Sequence, residues 1–258
     1  MIELHNAALD KLRSGALSIG IGLRQARTVD IGKAMKTAGF DWLFIDMEHN
    51  AMDVDTAVQI SVAAQDAGIA PIVRVPGYEH YHATRVMDGG AQGIVVPHVD
   101  DAETAARIAS NCRYPPVGMR SSGPIRAAQY GGADYQANAN DEIIIMAMIE
   151  TKEGLANLDA ICATPGLDAV YIGPADLSFA LGLEPRGDNP DPLHLATCDK
   201  ILETAHKHGI KAVMHCAGAP FAAGAVKRGF DMVMLTSDLA CMIAGARRQL
   251  DELKAETT

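Results

Sequence analysis

The sequence predicts a (β/α)8 barrel, and three observations carry that reading. Eight short apolar runs alternate with eight helix-like stretches along 258 residues. That length suits one barrel of eight strand–helix units. Several of the runs are apolar nearly throughout, as strands buried on both faces of a parallel sheet are. Six helix-like stretches stop at glycine (Gly39, Gly68, Gly89, Gly166, Gly209 and Gly229), a residue that takes the left-handed conformation cheaply. A doubly wound open sheet also alternates strand and helix, but the count of eight favours the barrel.

The elements follow in order. A helix over Glu3–Arg13 precedes the first strand and is expected to plug the barrel floor. The first strand, Leu17–Leu23, contains Gly20-Ile-Gly22. Gln25 stands where a dinucleotide loop needs its third glycine, and the run lies in a strand, so nucleotide binding is rejected. The helix Thr28–Ala38 leads to the second strand, Trp42–Met47, which runs into Asp46-Met-Glu48-His49. After the helix Asp53–Ala67, the third strand, Ala70–Val75, sets Arg74 among apolar neighbours. A guanidinium buried without an anion is costly, so Arg74 is hard to dismiss as packing. His80 and His82 flank the start of the helix Tyr81–Asp88, as His206 and His208 flank the end of a later one. Such i,i+2 pairs point apart on a helix and read as surface residues.

The fourth strand, Gly93–Val99, carries Pro97-His98 and precedes the helix Asp101–Cys112. Tyr114 to Asn140 reads as one long irregular stretch flanked by Arg113 and containing Arg120 and Arg126. A loop of that length is usually functional or an interface. The fifth strand, Ile143–Ile149, closes on Glu150 and is followed by the helix Gly154–Ala163. The sixth, Ala169–Ile172, leads through Gly173, Pro174 and Ala175 to Asp176. The helix Pro192–His208, the strand Lys211–Cys216 with His215, the helix Ala219–Arg228 and the strand Met232–Ser237 complete the barrel. A last helix, Asp238–Ala255, presents Leu239, Met242, Ile243, Ala246 and Leu250 at helical spacing, a face for its own barrel or for another subunit. No domain boundary interrupts residues 1–258.

Composition narrows the classes. The formal net charge is −10, from 22 Lys+Arg against 32 Asp+Glu, with no basic stripe. That argues against nucleic acid and anionic membrane as partners. The N-terminus has no apolar signal core, and no apolar run reaches membrane-spanning length; the expected compartment is the cytoplasm. Five cysteines, at 112, 162, 198, 216 and 241, form no Cys-x-x-Cys pair and read as small buried hydrophobes in a reducing compartment.

Chemistry in such barrels sits at the C-terminal strand ends. There the sequence gathers Asp46, Glu48, His49, Arg74, His98, Glu150, Asp176, His215 and Asp238. Glu150 and Asp176 close adjacent strands, which lie about 4.8 Å apart. Their carboxylates can converge on one small cation or can simply cap the following helices. Two oxygen ligands with open positions suit Mg²⁺ or Mn²⁺. No lysine lies within a strand; Lys211 opens the seventh at the wrong end for a Schiff base. Carbonyl chemistry here would therefore use a metal and not an imine.

Five motifs in order add a resemblance. Residues 39–49 (GFDWLFIDMEH), 73–76 (VRVP), 113–120 (RYPPVGMR) with Arg126-Ala, 149–151 (IET) and 172–178 (IGPADLS), joined by Gly229-Phe-Asp231, resemble the HpcH/HpaI aldolase family from about Leu17 to Asp238. The resemblance implies a metal-dependent class II pyruvate aldolase acting on pyruvate or hydroxypyruvate and an aldehyde. By motif, Glu150 and Asp176 would bind the divalent cation, with Co²⁺ or Zn²⁺ as further candidates. His49 would accept the proton, Asp88 would raise its basicity, and Arg74 would hold the keto or enolate oxygen. Gly173, Pro174, Ala175 and Asp176 would form the substrate-binding turn, with the backbone N–H groups around Ala175 and Asp176 receiving the substrate carboxylate. The resemblance also implies helix exchange between subunits and a homohexamer. Met148 departs from the family's usual Gln, Arg24-Gln25 replace a common Trp, and His98 replaces a common Met, where it could contact the acceptor. Two alternatives stand beside this reading: a lyase of citryl- or malyl-type CoA esters, which would need the long loop's arginines as a phosphate groove, and a non-catalytic metal-binding barrel.

Overall fold

A computed structural model of the chain describes residues 4–257. Eight parallel strands close into a barrel in sequential order. They are β1 (Ser18–Leu23), β2 (Trp42–Asp46), β3 (Ala70–Arg74), β4 (Gly93–Val96), β5 (Ile144–Ile149), β6 (Ala169–Ile172), β7 (Lys211–His215) and β8 (Met232–Ser237). The expected barrel is thus observed, with strand limits within three residues of those read from hydrophobicity. β1 pairs with β8 to close the ring, with a register shift between Gly20 and Gly22. Gly20 is required there, because a Cβ would fall inside the Trp42 indole. The glycines of Gly20-Ile-Gly22 therefore serve barrel packing.

The helices are α1 (Ala7–Arg13), α2 (Asp30–Ala38), α3 (Val54–Ala67), α4 (His80–Asp88), α5 (Ala102–Cys112), α6 (Ile125–Gly131), α7 (Tyr135–Glu142), α8 (Lys152–Ala156), α9 (Leu158–Cys162), α10 (Pro174–Ala180), α11 (Pro192–Lys207), α12 (Ala219–Arg228) and α13 (Asp238–Thr257). α1 plugs the floor: Ala8 and Leu12 pack with the interior residues Trp42, Ala70 and Ile144. Asn6 caps it through the Ala8 and Leu9 N–H groups, and its Nδ2 donates to the Gln92 and Glu142 carbonyls at 3.0 and 2.8 Å. Glu3, the expected first residue of this helix, lies outside the described residues.

Three expectations are corrected. The stretch 114–140 is not irregular: α6 and the start of α7 lie in it, built from polar and small residues with little apolar periodicity. The single helix expected over Gly154–Ala163 is two, separated at Asn157. Gly89 is not left-handed (φ −84°); Gly90 takes that conformation instead (φ 109°). Gly39, Gly68 and Gly229 are left-handed caps as expected.

The last helix touches its own barrel only near its root, at β1 and β8. No described residue of α13 is buried, and Met242, Ile243, Leu250 and Leu253 are all exposed. A cavity of about 620 Å³ opens between its first turns and α2, lined by Ile31, Met35, Phe40, Cys241 and Met242. Four cysteines are buried, but Cys241 is exposed on this helix. Among the described residues no helix is long and apolar enough to cross a membrane.

Candidate active site

Strand alternation builds the site. Phe44, Ile72, Met148, Tyr171 and Val213 fill the barrel interior. Two residues further along each strand, the next inward positions are Asp46, Arg74, Glu150, Gly173 and His215, since side chains alternate faces with period two. An apolar barrel is therefore topped by one polar layer.

Arg74 is buried, with 6% of its surface exposed. Its Nε and Nη2 donate to both carboxylate oxygens of Asp46, at 2.9 and 2.7 Å, the fork geometry of a strong charge-assisted pair. Glu48 Oε2 lies 3.1 Å from Nη1. The guanidinium carbon sits 5.2 Å from the Phe44 ring centroid. Burial works against the Arg74 charge, but the Asp46 hydrogen bond and the two carboxylates outweigh it and raise the pKa. Burial likewise opposes the Asp46 charge, and Arg74 with Arg24 holds the carboxyl below its ordinary range. Arg24 donates to Asp46 Oδ2 at 2.6 Å. Asp238 braces the loop that carries Arg24, accepting from the Arg24, Gln25 and Ala26 N–H groups.

Glu150 is 3% exposed. The His98 N–H donates to its Oε1 at 3.1 Å, aided by a left-handed His98 backbone (φ 51°). The exposed His98 imidazole lies 3.9 Å from the same oxygen. Gly173 leaves room for the other oxygen, since a Cβ there would collide with Oε2. Burial pushes the Glu150 pKa up to about 7; the His98 contacts oppose the rise, and the nearby charges of Asp176 and Glu48 add to it. Asp176 stands in the first turn of α10, half-buried. The structure thus brings Asp176 and Glu48 each within electrostatic reach of Glu150.

A divalent cation fits this donor set. Burial, with the charges of Asp176 and Glu48 adding to it, pushes the Glu150 carboxylate toward neutrality, and among the described residues its one ion-pair partner is the exposed His98. Among the described residues no group of three or more His, Cys, Asp or Glu is placed to hold a metal ion. Two carboxylates with open positions remain the arrangement to consider.

The other expected residues separate. His49 is exposed at the mouth, 3.7 Å from Glu48. Asp88 is not beside it. α4 runs from the C-terminal end of β3 back toward the floor and carries Asp88 at its last turn, where Arg120 donates to it at 2.6 Å. Met148 is fully buried one layer below Glu150. His215 accepts or donates through Nδ1 to the Tyr171 hydroxyl at 2.9 Å. Tyr171 escaped sequence reasoning, as did the bond from Arg24 to Asp46 and the bracing role of Asp238. Tyr171 was findable by counting two residues back from Gly173 along the strand.

Comparisons with known proteins identify the family. Residues 25–244 match the profile of the HpcH/HpaI aldolase/citrate lyase family. The chain belongs to that family. It is 34% identical over 223 residues to a hydroxypyruvate/pyruvate aldolase of Rhizorhabdus wittichii, covering 86% of this chain and 89% of that one. It is 34% identical to a 5-keto-4-deoxy-D-glucarate aldolase of Salmonella arizonae, covering 95% and 96%. An HpcH/HpaI aldolase structure from Desulfitobacterium hafniense superposes with a TM-score of 0.88 at 30% identity, covering 95% and 96%. The chain is accordingly a lyase of the aldolase type, which sets aside the non-catalytic barrel. The phosphate groove expected of a CoA-ester lyase has no support from the long loop's arginines. Arg113 is bonded to Asp168 and backbone carbonyls, Arg120 to Asp88 and Arg126 to Gln59.

Proposed function

We propose that the chain is a divalent-cation-dependent aldolase that adds pyruvate or hydroxypyruvate to an aldehyde and, in reverse, cleaves 4-hydroxy-2-oxo acids. The observation that carries this reading is Glu150: a buried carboxylate, facing Asp176 and Glu48, whose one hydrogen bond among the described residues comes from a backbone N–H. Glu150 and Asp176 would hold Mg²⁺ or Mn²⁺. The bound cation supplies Lewis-acid polarisation of the substrate's keto oxygen.

The chain's own residues then have distinct tasks. Loss of a proton beside the keto group leaves negative charge on the keto oxygen. Arg74 is fixed by Asp46 and keeps N–H groups on Nη1 and Nη2 for that oxygen; a preorganised donor of this kind is worth about 3 kcal/mol in rate. The exposed His49 accepts the proton, with Glu48 as its nearest carboxylate. Asp88 could meet a His49 only across a subunit boundary, since it lies at the other end of the barrel. The N–H groups of Ala175 and Asp176, which start α10 after Gly173 and Pro174, receive the substrate carboxylate. His98 offers a polar contact to the acceptor.

The chain acts as a homo-oligomer, a hexamer on the family resemblance. The occupant of the α2–α13 cavity is α13 of a second copy, whose exposed apolar row needs such a groove. Sedimentation of Met242→Asp and Leu250→Asp should show smaller species than the wild type; unchanged assembly would refute the exchange.

Retro-aldol release of pyruvate, measured after thorough chelation and again with Mn²⁺ restored, tests the reaction itself. Release should vanish and return. Activity indifferent to chelation would sink the metal reading.

A further inference from the structure

We propose that His215 is a neutral hydrogen-bond donor to a substrate oxygen, and that Tyr171 holds its imidazole in the tautomer this requires. The inference rests on the aldolase reading of the barrel mouth.

His215 ends β7 on an inward position, partly open to the mouth. Its ring meets Phe44 edge-on (centroids 5.6 Å apart, 86°) and lies 5.9 Å from Tyr171. Phe44 and Tyr171 stack on each other at 5.4 Å. The imidazole therefore rests on an aromatic floor with its orientation fixed.

The tautomer follows from hydrogen-bond accounting. Tyr171 is fully buried. Among the described residues the contact with His215 Nδ1, at 2.9 Å, is its hydroxyl's one hydrogen bond. A proton on Nδ1 would leave the phenolic O–H without an acceptor inside an apolar barrel, which costs more than the bond returns. The O–H therefore donates to Nδ1, and the single proton of the neutral ring sits on Nε2. Charging the ring would place two donors head to head. Burial disfavours the charge first, the Arg74 and Arg24 guanidiniums disfavour it further, and Asp46 is the one facing acid that opposes them. Nε2–H has no partner among the described residues.

Such a group can stabilise an oxygen that gains charge as a carbon–carbon bond forms, without giving up its proton. No bond is made or broken by His215. The oxygen accepting from Nε2–H belongs either to the 3-hydroxyl of a hydroxypyruvate-type donor or to the carbonyl of the aldehyde.

Two measurements on the full-length protein decide the matter. Nitrogen-15 NMR of labelled histidine should show His215 as the Nε2–H tautomer, with its signal moving when hydroxypyruvate or glycolaldehyde is added in separate titrations. In kinetics, His215→Phe keeps a ring but no donor and should lose about tenfold in kcat/KM, about 1.4 kcal/mol. His215→Gln, which restores a donor near Nε2, should regain most of that. A KM increase for hydroxypyruvate and not pyruvate identifies the 3-hydroxyl; an equal loss with both donors identifies the aldehyde. Tyr171→Phe should populate the other tautomer and cost less activity than His215→Phe. An Nδ1–H tautomer in the wild type overturns the proposal. So does a signal that no ligand moves, or a His215→Phe variant with wild-type kcat/KM. Should His215→Phe fail to fold, the wild-type NMR result still decides. A wild type without aldol turnover would refute the proposed function, while the tautomer and ligand response would still be read independently.

Discussion

The two ends of this barrel each bury an arginine, and the two are used differently. Arg113 lies at the floor, 4% exposed. Its Nη1 donates to the Asn140 and Ile143 carbonyls, and its Nη2 to the Gly166 carbonyl and the Asp168 carboxylate. Those partners belong to the segments that lead into β5 and β6, so the guanidinium ties strand entrances together. Arg74 lies at the mouth, 6% exposed. Its partners are two carboxylates from one strand end, and N–H groups remain for something else. A buried charge bonded to backbone is structure. A buried charge gripped from one side, with donors left over, is a tool.

The comparison can be broken most sharply at the mouth. Glu150→Gln should lower aldol turnover by roughly two to three orders of magnitude, the range for losing one preorganised electrostatic group, while leaving far-ultraviolet dichroism unchanged. At the floor the currency is stability. Arg113→Met leaves the half-buried Asp168 without its guanidinium partner and should destabilise by about 1–3 kcal/mol in urea titrations, with turnover per folded molecule unchanged. If Arg113→Met instead impairs turnover at full stability, the division between the ends fails.

A third outcome sharpens the mouth. Mn²⁺ at a hundredfold excess over its dissociation constant should stabilise the wild type by about 2.7 kcal/mol, visible as a higher Tm. Glu150→Gln should show little of that shift. A further test concerns acid. Burial, with Arg74 and Arg24 nearby, pushes the His215 pKa down to about 3, below its ordinary 6.5. The unfolded chain therefore binds the proton first. Stability from the neutral ring is present above pH 6.5 and falls as pH drops toward 3, by at most about 1.4 kcal/mol per pH unit. His215→Phe should flatten that limb of the stability profile.

Much of this was legible in the sequence because it is local. Apolar runs separated by helix-like stretches gave the barrel, and an acid closing a strand gave Glu150. Alternation along one strand is a local rule too, and it would have found Tyr171 beneath Gly173. The hidden parts depend on residues far apart in the chain. That Arg24 bonds Asp46, or that Asp88 turns to Arg120 and away from His49, is set by how neighbouring strands and helices end up side by side. Motif matching placed Asp88 with the catalytic set, whereas the direction of α4 carries it to the floor. The long stretch after Arg113 failed for another reason: Ile125 is the one large aliphatic residue in α6 and α7, so no periodicity marks them as helices.

Asp238 stands at the root of α13 and has one more consequence. Its carboxylate grips the Arg24 N–H at 2.7 Å, Arg24 grips Asp46 at 2.6 Å, and Asp46 grips Arg74 at 2.7 Å. The helix that leaves the barrel is thus geared to the guanidinium that faces the mouth. Any displacement of the α13 root would have to break this chain of contacts or carry it along.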